Sequence, residues 1–169
     1  AAMNGNIETV NFLLDSGATG CNEAFEAACG GGHIDVVNLL LRCTEERVYN
    51  EGLRLASLYG HINIVELLIQ LGADDYRGAI YPALTERHYD IVKFLLERID
   101  TNIHRSLLND LLYTAASEGT LDIVKLALQK GADKIDRAIR VATLYGNLDI
   151  ADFLKEYLDG QINEDYSYE

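Results

Sequence analysis

The chain has little positive charge. Its 169 residues include 14 lysines and arginines against 27 aspartates and glutamates, for a formal net charge of −13. A polyphosphate backbone must be met by lysine and arginine, and the sequence has no basic run, so we expect neither nucleic acid nor an anionic membrane surface as partner. The acidity would suit a protein partner with a basic surface, but a solvated acidic face is the simpler explanation and the one we favour.

Long apolar runs are also missing. No stretch of 18 apolar residues occurs, which predicts that no segment crosses a membrane. The N-terminus has no basic segment followed by an apolar one, so no signal peptide is visible. We therefore expect an intracellular protein, most simply a cytoplasmic one. The cytoplasm of a host cell is an alternative location.

Cysteine is scarce, and the sequence has no Cys-x-x-Cys spacing. Cys29 follows a small residue of the repeat described below, and it is interpreted as a small buried hydrophobe. Cys21 and Cys43 fall in predicted loops. The simplest prediction is three reduced thiols in an intracellular compartment and no zinc site.

An alanine recurs four residues before each of six predicted helix-joining turns. The alanines are Ala1, Ala28, Ala56, Ala83, Ala115 and Ala142. The turns begin at Gly5, Gly32, Gly60, Arg87, Gly119 and Gly146, at successive intervals of 27, 28, 27, 32 and 27 residues. A fixed period of this length predicts an all-α solenoid of stacked helical pairs.

The helix after each turn is strongly apolar on one broad face. In the third unit it runs from Ile62 to Leu68, with apolar residues at helical spacing. Three residues after each turn stands a polar residue that is acidic in five of six units, where the helix dipole favours negative charge. These residues are interpreted as helix-start electrostatics: Glu8, Asp35, Asn63, Asp90, Asp122 and Asp149.

The helix before each turn has its own markers. Ten residues before the turn stand Asn22, Asn50, Arg77, Asn109 and Asp136. Four of these five residue types are preferred N-caps, so they predict where the helices start. In the fourth unit Pro82 falls inside the predicted helix, which predicts a lost hydrogen bond or a late helix start.

The repeat pattern Ala-x-x-x-Gly-His-x-x-Ile-Val-x-x-Leu-Leu-x-x-Gly-Ala-Asp resembles the ankyrin repeat. The segments 60–74 and 119–133 match it closely, and the resemblance extends from residue 1 to about 158. It implies an ankyrin-like solenoid of about six helix-turn-helix repeats. The family binds proteins through the concave groove formed by its first helices, so the resemblance implies a protein partner.

The repeats depart from the family in length. Ankyrin repeats span 33 residues, whereas most intervals here are 27. The distance from the turn glycine to the Gly-Ala pair is the same as in the family (Gly60 to Gly72). The missing residues therefore lie between that pair and the next helix. We therefore predict shortened or absent β-hairpin fingers. Such short repeats resemble those of giant viruses, of multigene families in other large DNA viruses and of some intracellular bacteria.

The predicted organisation is one array over residues 1–158, followed by an acidic tail over 159–169. The first unit is truncated, because the chain begins in mid-repeat, and a fragment of a longer array is expected. Extra residues near 98–108 predict either a longer first helix in the fifth unit, capped by Asn102, or a bulging loop. The tail is expected to fray, with a short docking motif as the alternative.

Candidates for chemistry are weak. His33, His61 and His88 recur with the repeat, so they lie on different layers and cannot share one ion with ligands near 2 Å. They are interpreted as turn-stabilising residues. The glycines before His33 lack the Lys-Ser/Thr of a phosphate loop, and no hydrolase or metalloprotease motif occurs. We expect no enzyme activity in this segment, no cofactor and no metal.

The better candidates are the residues just before each turn, which in ankyrin proteins face the groove and contact the partner. The predicted partner-binding residues are Leu58, Tyr59, Glu86, Glu118, Leu144 and Tyr145. Tyrosine is enriched at binding hot spots; the alternative is that the leucines and tyrosines pack as extra core. The predicted function is a scaffold, adaptor or effector module. A viral or bacterial factor acting on a host pathway, and the arm of a larger enzyme, remain alternatives.

Overall fold

In the computed structural model, the described residues are 1–98 and 105–165, with side chains described as far as 160. All regular elements in those ranges are helical, which confirms the all-α prediction. Two short 3-10 turns lie at Ala2–Asn4 and Glu46–Val48. The helices are α1 (Ile7–Asp15), α2 (Cys21–Gly31), α3 (Ile34–Leu40), α4 (Tyr49–Leu58), α5 (Ile62–Gln70), α6 (Tyr76–Thr85), α7 (Tyr89–Leu96), α8 (Arg105–Glu118), α9 (Leu121–Gln129), α10 (Ile135–Leu144) and α11 (Leu148–Asp165).

The chain forms two compact units, Ala1–Leu95 and Leu96–Glu169. In the first unit α2, α4 and α6 pack side by side, and α3 and α5 pack against α2 and α4 respectively. In the second unit α8 contacts both α9 and α10, and α10 contacts α11. Each unit is therefore a stack of helical pairs, as the period of the sequence predicts.

The second helices bury the apolar face that their sequences predict. In α5, Ile64, Val65 and Leu68 are fully or almost fully buried. The residue at the position of Val65 is buried in all six repeats. Each polar residue three positions after a turn is the second residue of its helix, which confirms its place in the first helical turn.

Connections from a second helix to the next first helix are short. Residues 16–20, 41–45, 71–75 and 130–134 each join two helical elements with five residues. The structure assigns no strand to the described residues, so the prediction of missing fingers is confirmed. The fourth turn has Arg87 where the others have glycine, and Arg87 adopts the same left-handed conformation at φ 64°.

The prediction that asparagines cap the first helices is wrong. Asn50 is the second residue of α4, and its side chain bonds instead to the loop that follows α5. Its Oδ1 accepts from the N–H groups of Asp74 (2.9 Å) and Asp75 (3.1 Å), and its Nδ2 donates to Asp74 Oδ1 at 3.0 Å. Asn50 therefore lies inside its helix and ties two successive repeats together.

Asn109 makes the same three bonds in the second unit. Its Oδ1 accepts from the N–H groups of Asp133 (2.9 Å) and Lys134 (3.1 Å), and its Nδ2 donates to Asp133 Oδ1 at 2.9 Å. That amide is the main reason why the pKa of Asp133 lies below its usual range. Asn22 is likewise the second residue of its helix and reaches Glu45 through two longer bonds, of 3.2 and 3.4 Å.

Three further sequence predictions concern Pro82, the fifth unit and the C-terminal segment. Pro82 lies inside α6, which begins at Tyr76 with Asp75 as its cap, so the late start is wrong. Ala79, Ile80 and neighbouring residues of this helix are buried, which contributes free energy against the lost hydrogen bond. In the fifth unit α8 has 14 residues, which confirms the longer helix; its proposed cap Asn102 lies outside the described residues. At the other end α11 continues to Asp165, into the segment predicted to fray.

The cysteines correct the prediction of three reduced thiols. Cys21 and Cys43 form a disulfide, with Cα atoms 5.9 Å apart. Cys21 is the first residue of α2 rather than a loop residue, and the loop after α3 folds back onto it. Sequence separation hides this proximity, because the two residues belong to one repeat and meet across its two ends. Cys29 is fully buried, as predicted, and burial raises the pKa of its thiol to about 12.

Candidate functional site

The turn histidines link successive repeats. His61 Nε2 donates to the Gly30 carbonyl at 3.0 Å, and its ring covers Gly32, where an added Cβ would come within 2.6 Å of the ring. His33 bonds to the Met3 carbonyl in the same way, at 2.9 Å. A carbonyl can only accept, so each ring nitrogen donates.

Asparagine takes the place of the turn histidine in the last repeat. Asn147 donates to the carbonyls of Ala116 and Ser117, both at 2.8 Å. The described residues contain no group of three or more histidines, cysteines and carboxylates able to hold a metal. The structure therefore supports the interpretation of these turn residues as inter-repeat contacts.

The predicted contact residues lie at the ends of the first helices, just before these turns. Leu144 is 80% exposed, Tyr145 65% and Tyr59 54%. Glu86 and Glu118 are exposed, and Leu58 is half-buried. Most of the candidate side chains therefore present area to solvent, whereas Leu58 contributes partly to packing.

Tyr59 is partly packed and partly exposed. A Cβ added to Gly30 would lie 3.5 Å from the Tyr59 ring, so one side of the ring packs over the preceding repeat. The remaining half of the side chain faces solvent. A methyl group at Gly30 would thus meet the ring in ordinary van der Waals contact.

The two units divide the predicted site. Leu58, Tyr59 and Glu86 belong to the first unit; Glu118, Leu144 and Tyr145 belong to the second. The second unit brings two exposed apolar residues together at the end of α10. Leu148, at the start of α11, is 59% exposed and follows them closely in sequence.

Sequence reasoning missed a cluster of arginine and tyrosine in the second unit. The Arg137 guanidinium carbon lies 4.5 Å from the centre of the Tyr113 ring, within the range of a cation–π contact. A hollow of about 480 Å³ lies between α8 and α10, lined by Tyr113, Asp133, Lys134, Asp136, Arg137 and Arg140. The available signal was the position of Arg137 and Arg140 nine and six residues before the turn.

The same repeat positions in the first unit carry a closed ion pair. Arg54 donates to Glu51 through Nε at 2.9 Å and through Nη2 at 2.6 Å. This pairing holds the pKa of Glu51 below its usual range, chiefly through the hydrogen bond. The residue nine positions before the turn thus has opposite charge in the two units. On α4 it forms a neutralised pair with Arg54, whereas α10 has arginine at both positions.

A second, apolar hollow lies at the start of the first unit. Its volume is about 350 Å³, and its lining includes Met3, Val10, Leu13 and Leu40. Leu13 is 43% exposed, whereas its equivalents in the next repeats are fully buried. This face continues the surface that other repeats use for stacking.

Among the described residues, no helix is both long and apolar enough to cross a membrane.

Comparisons with known proteins agree with the resemblance to ankyrin repeats. The family profile described as ankyrin repeats (3 copies) matches residues 1–77, 25–106 and 79–165. The chain is 27% identical to an ankyrin repeat and KH domain-containing protein of Caenorhabditis elegans, over 98% of this chain and 7% of that protein. It is 23% identical to a putative ankyrin repeat protein of Acanthamoeba polyphaga mimivirus, over 94% and 28%.

A third relative matches a shorter part of the chain. It is a leucine-rich repeat serine/threonine-protein kinase of Mus musculus, 35% identical over 57% of this chain and 6% of that protein. The chain thus spans less than a third of the length of each of these relatives.

Proposed function

Since the chain belongs to the ankyrin repeat family, we propose that it is a protein-binding module that contacts its partner through the exposed ends of its first helices. The family supports protein binding in general. The finer assignment rests on Leu58, Tyr59 and Glu86 in the first unit and on Glu118, Leu144 and Tyr145 in the second.

The observation that carries the proposal is the exposure of large side chains beside the turns. Tyr59, Leu144 and Tyr145 each leave more than half of their surface to solvent. Tyrosine and leucine at such positions gain free energy when a partner covers them, at about 25 cal/mol per Å² of apolar surface. Tyrosine also loses little side-chain entropy when it is fixed.

The test is partner capture by a double variant, Tyr59→Ala with Tyr145→Ala. Proteins captured from the native cell would be identified by mass spectrometry, and thermal unfolding would be followed in parallel. We expect capture of the same partner to fall by at least about tenfold, the equivalent of 1.4 kcal/mol, with only a small fall in unfolding temperature from the packed side of the Tyr59 ring.

Phe12→Ala is the matched control. Phe12 is 69% exposed, but it lies on a second helix, α1, away from the turns. The proposal fails if the control weakens capture as much as the tyrosine pair does. It also fails if the tyrosine pair unfolds at a much lower temperature, because the side chains would then be core.

Two narrower functions have one observation each. The mimivirus relative supports a factor that acts on a host pathway, and the kinase relative supports an arm of a larger enzyme. The complete gene separates them: an adjoining catalytic segment supports the arm, and repeats alone do not. Neither narrower function changes the surface proposed above.

We also propose an intracellular location, for which the family resemblance is the support. The Cys21–Cys43 disulfide is the observation against a cytosolic location, because such bonds are rare in a reducing compartment. Trapping free thiols in the intact cell before extraction decides the question. Two trapped thiols at these positions support the cytosol, and none supports an oxidising compartment.

A further inference from the structure

The surface of α10 carries two arginines that the rest of the described chain does not neutralise. Arg137 stacks on Tyr113, and Arg140 is exposed. Neither guanidinium makes a hydrogen bond or an ion pair with another described residue. In a chain of net charge −13, these two arginines place uncompensated positive charge three residues apart on one helix.

The other charges lining the hollow do not cancel them. Arg105 and Lys134 approach Asp133 at 3.4 and 3.8 Å, and Asn109 also bonds to it. Asp133 is therefore engaged within the loop, which agrees with its lowered pKa. Asp110 and Asp136 are the remaining carboxylates on these two helices near the hollow.

An apolar residue continues the same helix face. Arg137, Arg140 and Leu144 stand at positions i, i+3 and i+7 of α10 and thus share one side of it. Leu144 is 80% exposed. The rise of 1.5 Å per residue separates successive members by about 4.5 and 6 Å along the axis. The strip therefore offers two guanidinium groups followed by one apolar contact.

Such a strip fits an extended peptide segment. Alternate residues of an extended chain project to the same side, about 6.6 to 6.8 Å apart. A segment of the form Glu-x-Glu-x-Leu would set two carboxylates against the arginines and a leucine against Leu144. Guanidinium pairs with carboxylate through short charge-assisted bonds, and Tyr113 keeps the Arg137 guanidinium in place from behind.

The first unit shows what the same positions look like when no anion is needed. On α4 the equivalents of Arg137, Arg140 and Leu144 are Glu51, Arg54 and Leu58. Glu51 and Arg54 bond to each other, and Leu58 is half-buried. The α4 set is self-neutralised, whereas the α10 set presents its charge and its leucine to solvent.

From this contrast we infer that the α10 strip of Arg137, Arg140 and Leu144 binds an extended acidic segment of a partner protein, with glutamate or aspartate on alternate residues and an apolar residue after them. The inference rests on the proposed protein-binding function and assigns a partner chemistry to one part of its surface. Opposite charge on the ligand is the complement of this strip, although the chain as a whole is acidic. At 0.15 M salt the Debye length of about 8 Å keeps the attraction local.

The test uses a fluorescein-labelled peptide, Ser-Glu-Ser-Glu-Ser-Leu-Ser, and fluorescence anisotropy on the full chain. Two matched peptides replace both glutamates by glutamine or by lysine. We expect saturable binding of the glutamate peptide only, weakened by added salt. Arg137→Gln with Arg140→Gln should raise Kd by about tenfold or more, and Leu144→Ala should raise it several-fold.

Glu51→Gln with Arg54→Gln is the matched control and should leave Kd unchanged, because it alters the same repeat positions in the other unit. Thermal unfolding of each variant confirms that it is folded. The inference is overturned if the glutamine or lysine peptide binds as well as the glutamate peptide, or if the arginine variant binds it like the unaltered chain. The inference is also overturned if a peptide with phosphoserine in place of the glutamates binds and the glutamate peptide does not. It is likewise overturned if a single-stranded oligonucleotide binds as tightly as the glutamate peptide.

The outcomes separate this inference from the broader proposal. If partner capture depends on Tyr59 and Tyr145 but the acidic peptide does not bind, only the α10 assignment fails. If the peptide binds through the arginines while the tyrosine variant captures its partner normally, the acidic-segment site stands and the turn-proximal tyrosines are not the contact surface.

Discussion

Gly32 offers a direct measurement of how much the stacked turns contribute to stability. Its φ of 78° lies in the left-handed region, and the ring of His61 from the next repeat covers it. An alanine at this position would have its Cβ 2.6 Å from the ring. Gly32→Ala therefore imposes two costs, one from the backbone conformation and one from the displaced histidine.

Gly72 separates the two costs, because its φ of 98° is also left-handed but nothing lies within 4 Å of an added Cβ. Gly72→Ala should cost about 1–2 kcal/mol of unfolding free energy, the price of a left-handed L-residue. Gly32→Ala should cost about 2–3 kcal/mol, since displacing His61 also loses its bond to the Gly30 carbonyl, worth about 1 kcal/mol. Both glycines lie in the first unit, so the comparison is internal.

A double-mutant cycle gives the sharper result. With His61→Ala already present, the ring that clashes is gone, and Gly32→Ala should then cost no more than Gly72→Ala. The two changes should thus be non-additive by about 1 kcal/mol. Urea unfolding at 25 °C, followed by circular dichroism, supplies each free energy, with an unchanged m-value as the check that the unfolded states are comparable.

Equal costs for Gly32→Ala and Gly72→Ala, or an additive cycle, would contradict a contribution of the His61 ring to stability. Equal costs would mean that the histidine ring moves aside freely. In that case the His61 bond would contribute nothing measurable to the stacking of the repeats. The matched pair would then report backbone conformation alone.

Two further predictions concern the inter-repeat loop and the thiols. Asn109→Ala removes three hydrogen bonds and should lower the free energy of unfolding in urea by about 2–3 kcal/mol. Asn22→Ala should lower it by less than about 1 kcal/mol, because its two bonds are longer and exposed. Equal losses would contradict the tie between repeats. Thiol titration under non-reducing conditions should find no reactive cysteine in the native protein and one, Cys29, after unfolding, and reducing the disulfide should lower stability by about 3 kcal/mol for its separation of 22 residues. Two reactive native thiols would show that Cys21 and Cys43 are not joined.

The period of the sequence predicts most of the fold, because one position decides one structural role in every repeat. Val65 and its five equivalents are buried in the positions that the helical spacing assigns to them. The five-residue connections follow from the missing finger residues by simple subtraction. Such features depend on local sequence and on contacts between adjacent repeats, and both recur along the chain.

The features that the sequence left hidden depend on pairs of residues with no common pattern. Asn50 has the residue type of an N-cap, but its partners lie 24 and 25 residues away in the next loop. The capping rule considers only local partners. It correctly predicts that the Asn50 side chain forms hydrogen bonds with backbone N–H groups, but it predicts the wrong partners. The Cys21–Cys43 disulfide is hidden for the same reason, since the spacing of 22 residues matches no motif.

The candidate site shows where the period stops being informative. The residues nine and six before the turn are variable, because they lie on the solvent side of the first helices and the core does not constrain them. Glu51 with Arg54 and Arg137 with Arg140 occupy identical positions, yet one pair is neutralised internally and the other presents two charges. Stacking fixes where these side chains stand, and their chemistry is free to differ from repeat to repeat. Selectivity of the α10 strip for an acidic segment should therefore reside at these positions, and Arg137→Glu, which reproduces the α4 pair on α10, should abolish acidic-peptide binding.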